Sequence, residues 1–293
     1  MLLTRDEQTY DFGGARFDIE RDRDVLAWIF SQFLFGEVTG VQVGTWLAQA
    51  PDFDAAQFLA RQANEEMAHV KLFLRVLASL DAEPRPPHRA LKFLATDFAG
   101  GTYLEHCALE MALGEGFVLM AIYALIDTLP ESETRRLLVG LSRQEEGHVS
   151  FGEEQTVRAL RGDPAQARHV LGLALVSFAA LGRLGGWVRR RYPEHAVLSQ
   201  MPGFLGATLD AAELRMRRMG VLDRPLARIP AAEKAAIAAA SVGRRYGRAL
   251  NPFRPKPVPL TETYLGDPAI RSRLASPSES DSLRRHVTQE GMR

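Results

Sequence analysis

Asn64-Glu65-Glu66-Met67-Ala68-His69 and Gln144-Glu145-Glu146-Gly147-His148 each contain Glu-x-x-His. Residues three apart share a face of an α-helix, so Glu66 with His69, and Glu145 with His148, can grip one ion or two neighbouring ions from a single helix. Glu65 and Glu146 then point elsewhere. One match of this kind is weak evidence, because the composition yields roughly half a match by chance. Register supplies the second test. In an antiparallel hairpin, residues equidistant from the turn lie at one height, so each pair needs a carboxylate mirrored through its turn. Mirrored through residue 52, Glu66 and His69 fall opposite Glu37; mirrored through Pro130, Glu145 and His148 fall opposite Glu115. Both glutamates interrupt apolar stretches, Phe35-Gly36-Glu37-Val38 and Leu113-Gly114-Glu115-Gly116, where a charge needs a partner. The interval from Glu37 to Glu115 is 78 residues, and from Glu66 to Glu145 and His69 to His148 it is 79, so the two hairpins repeat one another with these residues in step.

The surrounding pattern supplies the helices that such a register requires. Apolar periodicity, broken by Pro, Asp and Gly, predicts helices over 24–49, 54–81, 102–129 and 131–161. Pro51-Asp52-Phe53-Asp54 and Leu129-Pro130-Glu131-Ser132 are turns short enough to make antiparallel neighbours. The connection over 82–101 holds Glu83-Pro84-Arg85-Pro86-Pro87 and a short helical stretch near 91–98, long enough to cross the length of a bundle. A fifth helix is predicted over 164–192, with two more near 205–220 and 230–249. The expectation is an all-α chain in three parts. Residues 1–161 form a four-helix bundle of two hairpins and a crossover, 162–250 add helices packed on it, and 251–293 form an extended Pro-rich arm with a disordered end.

Four carboxylates and two neutral imidazoles form a donor set whose charge two divalent cations neutralise while leaving open coordination positions. The expected ligands are therefore Glu37, Glu66, His69, Glu115, Glu145 and His148. Glu110 and His106, five and nine residues before Glu115, are expected off the ligand face, and Gln62, Asn64 and Arg143 are candidates to orient the ligands from behind. Phe33, Leu34, Leu72, Phe73, Met111, Ala112, Val118 and Leu119 make the surroundings apolar, as an organic substrate would require. Gly36, Gly40 and Gly44 recur every four residues, for close helix packing or for substrate space beside the metals.

Composition bounds the rest. The 293 residues are 46% hydrophobic and 25% charged, enough for a large core. A single cysteine, Cys107, excludes an intramolecular disulfide and a four-thiolate iron site. The opening MLLTRDEQTYDFGG lacks the apolar core of a secretory signal, and the apolar run from Val170 to Gly182 is short for a bilayer, so a cytoplasmic protein without a membrane partner is expected. Formal charge is zero overall, yet residues 1–150 carry 13 Lys and Arg against 23 Asp and Glu, and residues 151–293 the reverse. Clusters such as Arg189-Arg190-Arg191, Arg215/Arg217/Arg218 and Arg244-Arg245 leave RNA or an acidic protein as alternative partners, although nucleic acid is not the expected one.

The paired Glu and Glu-x-x-His arrangement over 24–161 resembles the ferritin-like di-iron carboxylate superfamily. The resemblance implies two iron ions, with manganese able to replace one, held by Glu37 and Glu115 as single carboxylates and by Glu66/His69 and Glu145/His148 as pairs. Rubrerythrins carry a further glutamate where this chain has Val118, ribonucleotide reductase small subunits a radical tyrosine where it has Phe73, and arylamine oxygenases an extra histidine where it has Leu141. Ferritins lack a counterpart to the chain after 161. The expectation left is an oxygen-activating di-iron monooxygenase or oxidase. It would act on a small or medium apolar substrate with O2, receive electrons from a ferredoxin or reductase, and be compatible with a homodimer. An iron-oxidising or iron-handling protein and a tRNA-modifying hydroxylase are the alternatives.

Overall fold

The structure, a computed structural model, describes residues 3–98 and 100–250. The arm and tail expected from 251 onward lie outside the described residues. Among the described residues the chain is helical throughout, with no strand. The long helices are α1 (Arg23–Gly40), α2 (Phe53–Ser79), α3 (Tyr103–Thr128), α4 (Glu133–Leu160), α5 (Pro164–Arg191), α6 (Met201–Arg218) and α7 (Ala231–Leu250).

Short polar side chains start these helices by accepting hydrogen bonds from backbone N–H groups that have no intrahelical partner. Asp52 accepts from the Ala55 N–H at 2.8 Å, Thr102 from Glu105 at 3.2 Å, and Ser132 from Arg135 at 3.2 Å. Asp163 accepts from Ala165 at 2.8 Å, with Pro164 in the first turn of α5, where its missing N–H costs nothing. α6 stops at Gly220, whose φ of 75° lets the Val221 N–H return to the Met216 carbonyl at 2.8 Å.

Two helices depart from the predicted winding. α1 ends at Gly40 instead of running to 49, and Val41–Gln49 is wound as a tighter 3-10 helix. Gly44 and the β-branched Val41, Val43 and Thr45 make this stretch a poor α-helix former. α3 is not uniform either. His106–Glu115 is wound as a π-helix, with ordinary α-helix resuming at Gly116. Such i→i+5 winding is uncommon and clusters at functional sites.

The described residues fall into two compact units. One gathers the chain up to Val41 and from Asn64 through α7; the other holds Gln42–Ala63. In the first unit, Leu26, Phe30, Phe73, Leu119, Met120, Ile122 and Leu138 are almost fully buried in one core with Leu3, Phe12 and Phe17 of the N-terminal segment. A second core joins α5, α6 and α7 to the start of α3 through Ala108, Val170, Ala174, Met216 and Ile237. The crossover after α2 is tied to α1, with the Arg85 N–H on Ser31 Oγ at 3.0 Å and the His88 N–H on Gln32 Oε1 at 2.7 Å. It carries the expected short helical stretch at Arg89–Lys92, followed by a π turn over Phe93–Asp97.

α3 and α5 are each long and apolar enough to cross a membrane, and each is about half buried inside the fold. Among the described residues of the second half, Arg189, Arg190, Arg191, Arg217 and Arg244 are exposed, while other basic residues are engaged within the chain. Arg215 is 1% exposed, Arg218 pairs with Glu7 at 2.9 Å, and Arg245 lies 4.7 Å from the Phe98 ring centroid. The Arg215/Arg217/Arg218 cluster is thus not a uniform solvent-facing patch: the helix turns Arg215 into the core.

Candidate metal centre

The six expected ligands all lie in the first unit, and the structure brings them together. α1 supplies Glu37, α2 supplies Glu66 and His69, α3 supplies Glu115 from the last residue of its π-wound stretch, and α4 supplies Glu145 and His148. All are buried except Glu115, whose side chain is 20% exposed.

Each histidine presents Nδ1 to three carboxylates. Around His69 Nδ1 stand Glu37 Oε2 at 3.1 Å, Glu145 Oε1 at 3.2 Å and Glu66 Oε2 at 3.8 Å. Around His148 Nδ1 stand Glu66 Oε1 at 3.4 Å, Glu145 Oε2 at 3.6 Å and Glu115 Oε2 at 3.7 Å. Glu66 and Glu145 thus give one oxygen to each half, while Glu37 and Glu115 serve one half apiece. Ligand atoms of Glu37, Glu66 and His69 lie within 4.8 Å of one another, as do those of Glu66, Glu115 and His148. This is a cluster that can hold metal ions in two adjoining positions.

No family model, curated protein or solved structure matches the chain.

Electrostatics shows the cost of gathering these groups. Burial, then the charges of Glu37 and Glu145, push Glu66 up to about 9. Burial raises Glu37 as well, and burial with the charges of Glu145, Glu66 and Glu37 holds Glu115 well above the usual carboxylate range. Glu145 goes the other way: burial opposes its charge, but hydrogen bonds from His148 and His69 hold it at about 2. Burial also opposes a charged His69, yet its bonds to Glu145 and Glu37 raise it to about 11, and His148 is raised for the same kind of reason. Left to themselves the groups share protons, because four buried carboxylates cannot all ionise side by side. Two divalent cations would replace those protons and cancel the charge, so the donor set fits such ions.

Asn64 and Arg143, two of the groups expected to orient the ligands from behind, are exposed. Instead His69 Nε2 meets Gln144 Oε1 at 2.8 Å and His148 Nε2 meets Glu65 Oε2 at 2.9 Å. Glu65 does point away from the ligand face, as predicted, but onto the far nitrogen of the opposite helix's histidine. Glu65 and Gln144 are 79 residues apart, the interval that separates Glu66 from Glu145. Extending the repeat by one residue would have found them. Glu146 accepts a hydrogen bond from the Tyr123 hydroxyl, and Glu110 is held by His106 Nδ1 at 2.9 Å.

Gly40 has a different role from either one expected of it. A Cβ at this position would lie 2.7 Å from Glu66 Oε2 and 3.0 Å from its Cδ, so the missing side chain makes room for the shared carboxylate itself. Gly36 has nothing within 4 Å of such a Cβ. Gly40→Ala is therefore expected to cost the fold little, since alanine is the better helix former by about 1 kcal/mol, and to lower metal affinity about 10-fold or more by displacing Glu66. Melting temperature and metal content measured on one preparation check this. Unchanged metal content would show that Glu66 can move aside without loss.

Proposed function

We propose that this chain is a ferritin-like di-iron carboxylate protein of the oxygen-activating branch, an oxidoreductase of monooxygenase or oxidase type acting on a small or medium apolar substrate. The observation that carries the proposal is the pair of histidine-centred carboxylate sets that share Glu66 and Glu145, delivered by α1, α2, α3 and α4 in the order Glu, Glu-x-x-His, Glu, Glu-x-x-His. A pair of iron ions bound there would supply the electrons and open coordination positions for reducing O2. The rest is the work of this chain's residues. Glu66 and Glu145, each with an oxygen near both histidines, would be shared between the two ions, and Glu37 and Glu115 would each serve one. Gln144 and Glu65 accept from the Nε2–H groups and so keep each Nδ1 lone pair turned inward.

The surroundings support an organic substrate over iron transport. Phe33 and Leu34 on α1, Phe73 on α2, and Met111, Ala112 and Leu119 on α3 lie near the ligands along their helices; all are buried but Phe33, which is partly so. An apolar wall excludes water and favours greasy molecules.

The test is anaerobic loading with ferrous iron, metal analysis, and exposure to O2 with a reductase, a ferredoxin and a panel of apolar compounds. About two irons per chain and O2 uptake coupled to an oxygenated or desaturated product are expected. Hundreds of irons per assembly, without dependence on an organic compound, would overturn the proposal in favour of iron storage.

A further inference from the structure

The centre is built from a sequence repeat, yet its two halves are not chemically equal. Each histidine turns Nδ1 to the carboxylates and Nε2 outward, and each Nε2 meets the residue that precedes the shared glutamate on the opposite helix. For His148 that residue is Glu65, at 2.9 Å; for His69 it is Gln144, at 2.8 Å. Both acceptors favour the Nε2–H tautomer, which turns the Nδ1 lone pair toward the carboxylates and toward any ion held among them. Only one carries a charge. A carboxylate acceptor makes a hydrogen bond roughly twice as strong as a neutral carbonyl does, and it sends more electron density through the ring to Nδ1.

A second difference points the same way. The Glu115 side chain is 20% exposed, whereas its counterpart Glu37 is 5% exposed; the two histidines are almost equally buried, at 1% and 2%. A cation arriving from solvent therefore meets the Glu115 carboxylate before that of Glu37. The half with the more exposed carboxylate is also the half whose imidazole leans on a charged acceptor.

We infer that the two positions fill in order, the Glu115/His148 position first and more tightly, and that Glu65 is the positioning residue that sets this difference. The inference rests on the metal-centre reading above. It also gives the chain a means of accepting two different divalent ions, because an ordered pair of unequal positions can be filled by one metal and then by another.

Manganese(II) added to the metal-stripped full chain under argon tests this, with electron paramagnetic resonance separating isolated ions from exchange-coupled pairs. Up to one equivalent, the wild type is expected to show isolated manganese, with coupled pairs growing during the second. The two stepwise constants should differ by about 10–100-fold, the usual effect of an outer-shell partner. Glu65→Gln should weaken the first step by about 10-fold, and coupled pairs should then appear below one equivalent. Gln144→Glu should narrow the gap from the other side by strengthening the second step, so the outcome does not hinge on whether Glu65→Gln folds. Glu37→Ala should retain the tight first step and Glu115→Ala should lose it. Coupled pairs from the first additions to the wild type would overturn the inference, as would an unchanged gap in either Glu65→Gln or Gln144→Glu, or the reverse result with Glu37→Ala and Glu115→Ala. Two ions bound without order would refute only this inference. No manganese uptake by the wild type would refute the metal centre as well.

Discussion

Glu66→Ala combined with Glu145→Ala is expected to reduce bound transition metal from about two ions per chain to background. Each of these carboxylates gives an oxygen to both histidine sets, so one substitution weakens both positions and the pair dismantles them. What remains is Glu37 with His69 on one side and Glu115 with His148 on the other. Two donors each are too few to compete with water for a divalent ion. The helices should survive, since Glu66 leaves a cluster in which burial and the charges of Glu37 and Glu145 oppose its ionisation, and alanine is a good helix former at both positions. Metal analysis alongside far-ultraviolet circular dichroism separates loss of ligands from loss of fold. Full metal content in the double variant, with helicity retained, would sink the assignment of the centre.

That the six side chains converge was legible because ligation imposes spacing. A helix fixes Glu-x-x-His on one face, a short turn fixes the height of the opposite glutamate, and a repeat of 78 or 79 residues makes coincidence hard to sustain. Other features left weaker traces. Helices could be placed from apolar periodicity, but the switch to 3-10 winding after Gly40 and to π winding over His106–Glu115 depends on tertiary demands that a 3.6-residue period does not report. Gly40 could be singled out by its spacing from Gly36 and Gly44, but not its purpose. That comes from Glu66, which reaches it from another helix.

Outer contacts are harder to read than inner ones, for a physical reason. A metal ligand must face a common point, so its spacing is constrained. A residue that orients a ligand need only reach one atom, and Glu65 and Gln144 do so across to the opposite helix. Their trace lies in the repeat alone. The same holds for Gly152, one turn past His148, where a Cβ would come within 2.6 Å of Met111 Cβ and 2.7 Å of the Ala112 nitrogen. This close approach seats α4 against the π-wound stretch that ends in Glu115, and nothing around Gly152 in the sequence marks it.

Arg215→Met is expected to destabilise the chain by about 3–5 kcal/mol at neutral pH, the cost of breaking a buried ion pair from one side. Arg215 is 1% exposed; its Nε donates to Glu153 Oε1 at 3.0 Å and its Nη2 to the side-chain carbonyl of Gln8. The guanidinium lies against Gly116, where a Cβ would stand 2.7 Å from Nη1, so it fills the space beside the residue that follows Glu115. Burial already raises the Glu153 carboxyl against the lowering effect of Arg215. Without the guanidinium, that carboxyl would rise further. An acid whose folded-state pKa lies above its unfolded value binds more protons when folded, so its stability falls as pH rises through that window. The penalty of Arg215→Met should therefore shrink between pH 7 and pH 5, and Arg215→Met with Glu153→Leu should recover much of it, because no lone charge is left inside. Urea unfolding of the two variants at both pH values measures this. The helices affected, α3 through Gly116 and α4 through Glu153, bear three of the six expected ligands, so the single variant should also hold metal less well at the Glu115/His148 position. A loss of less than about 1 kcal/mol, with no dependence on pH, would mean that Glu153 finds another partner or water on losing Arg215.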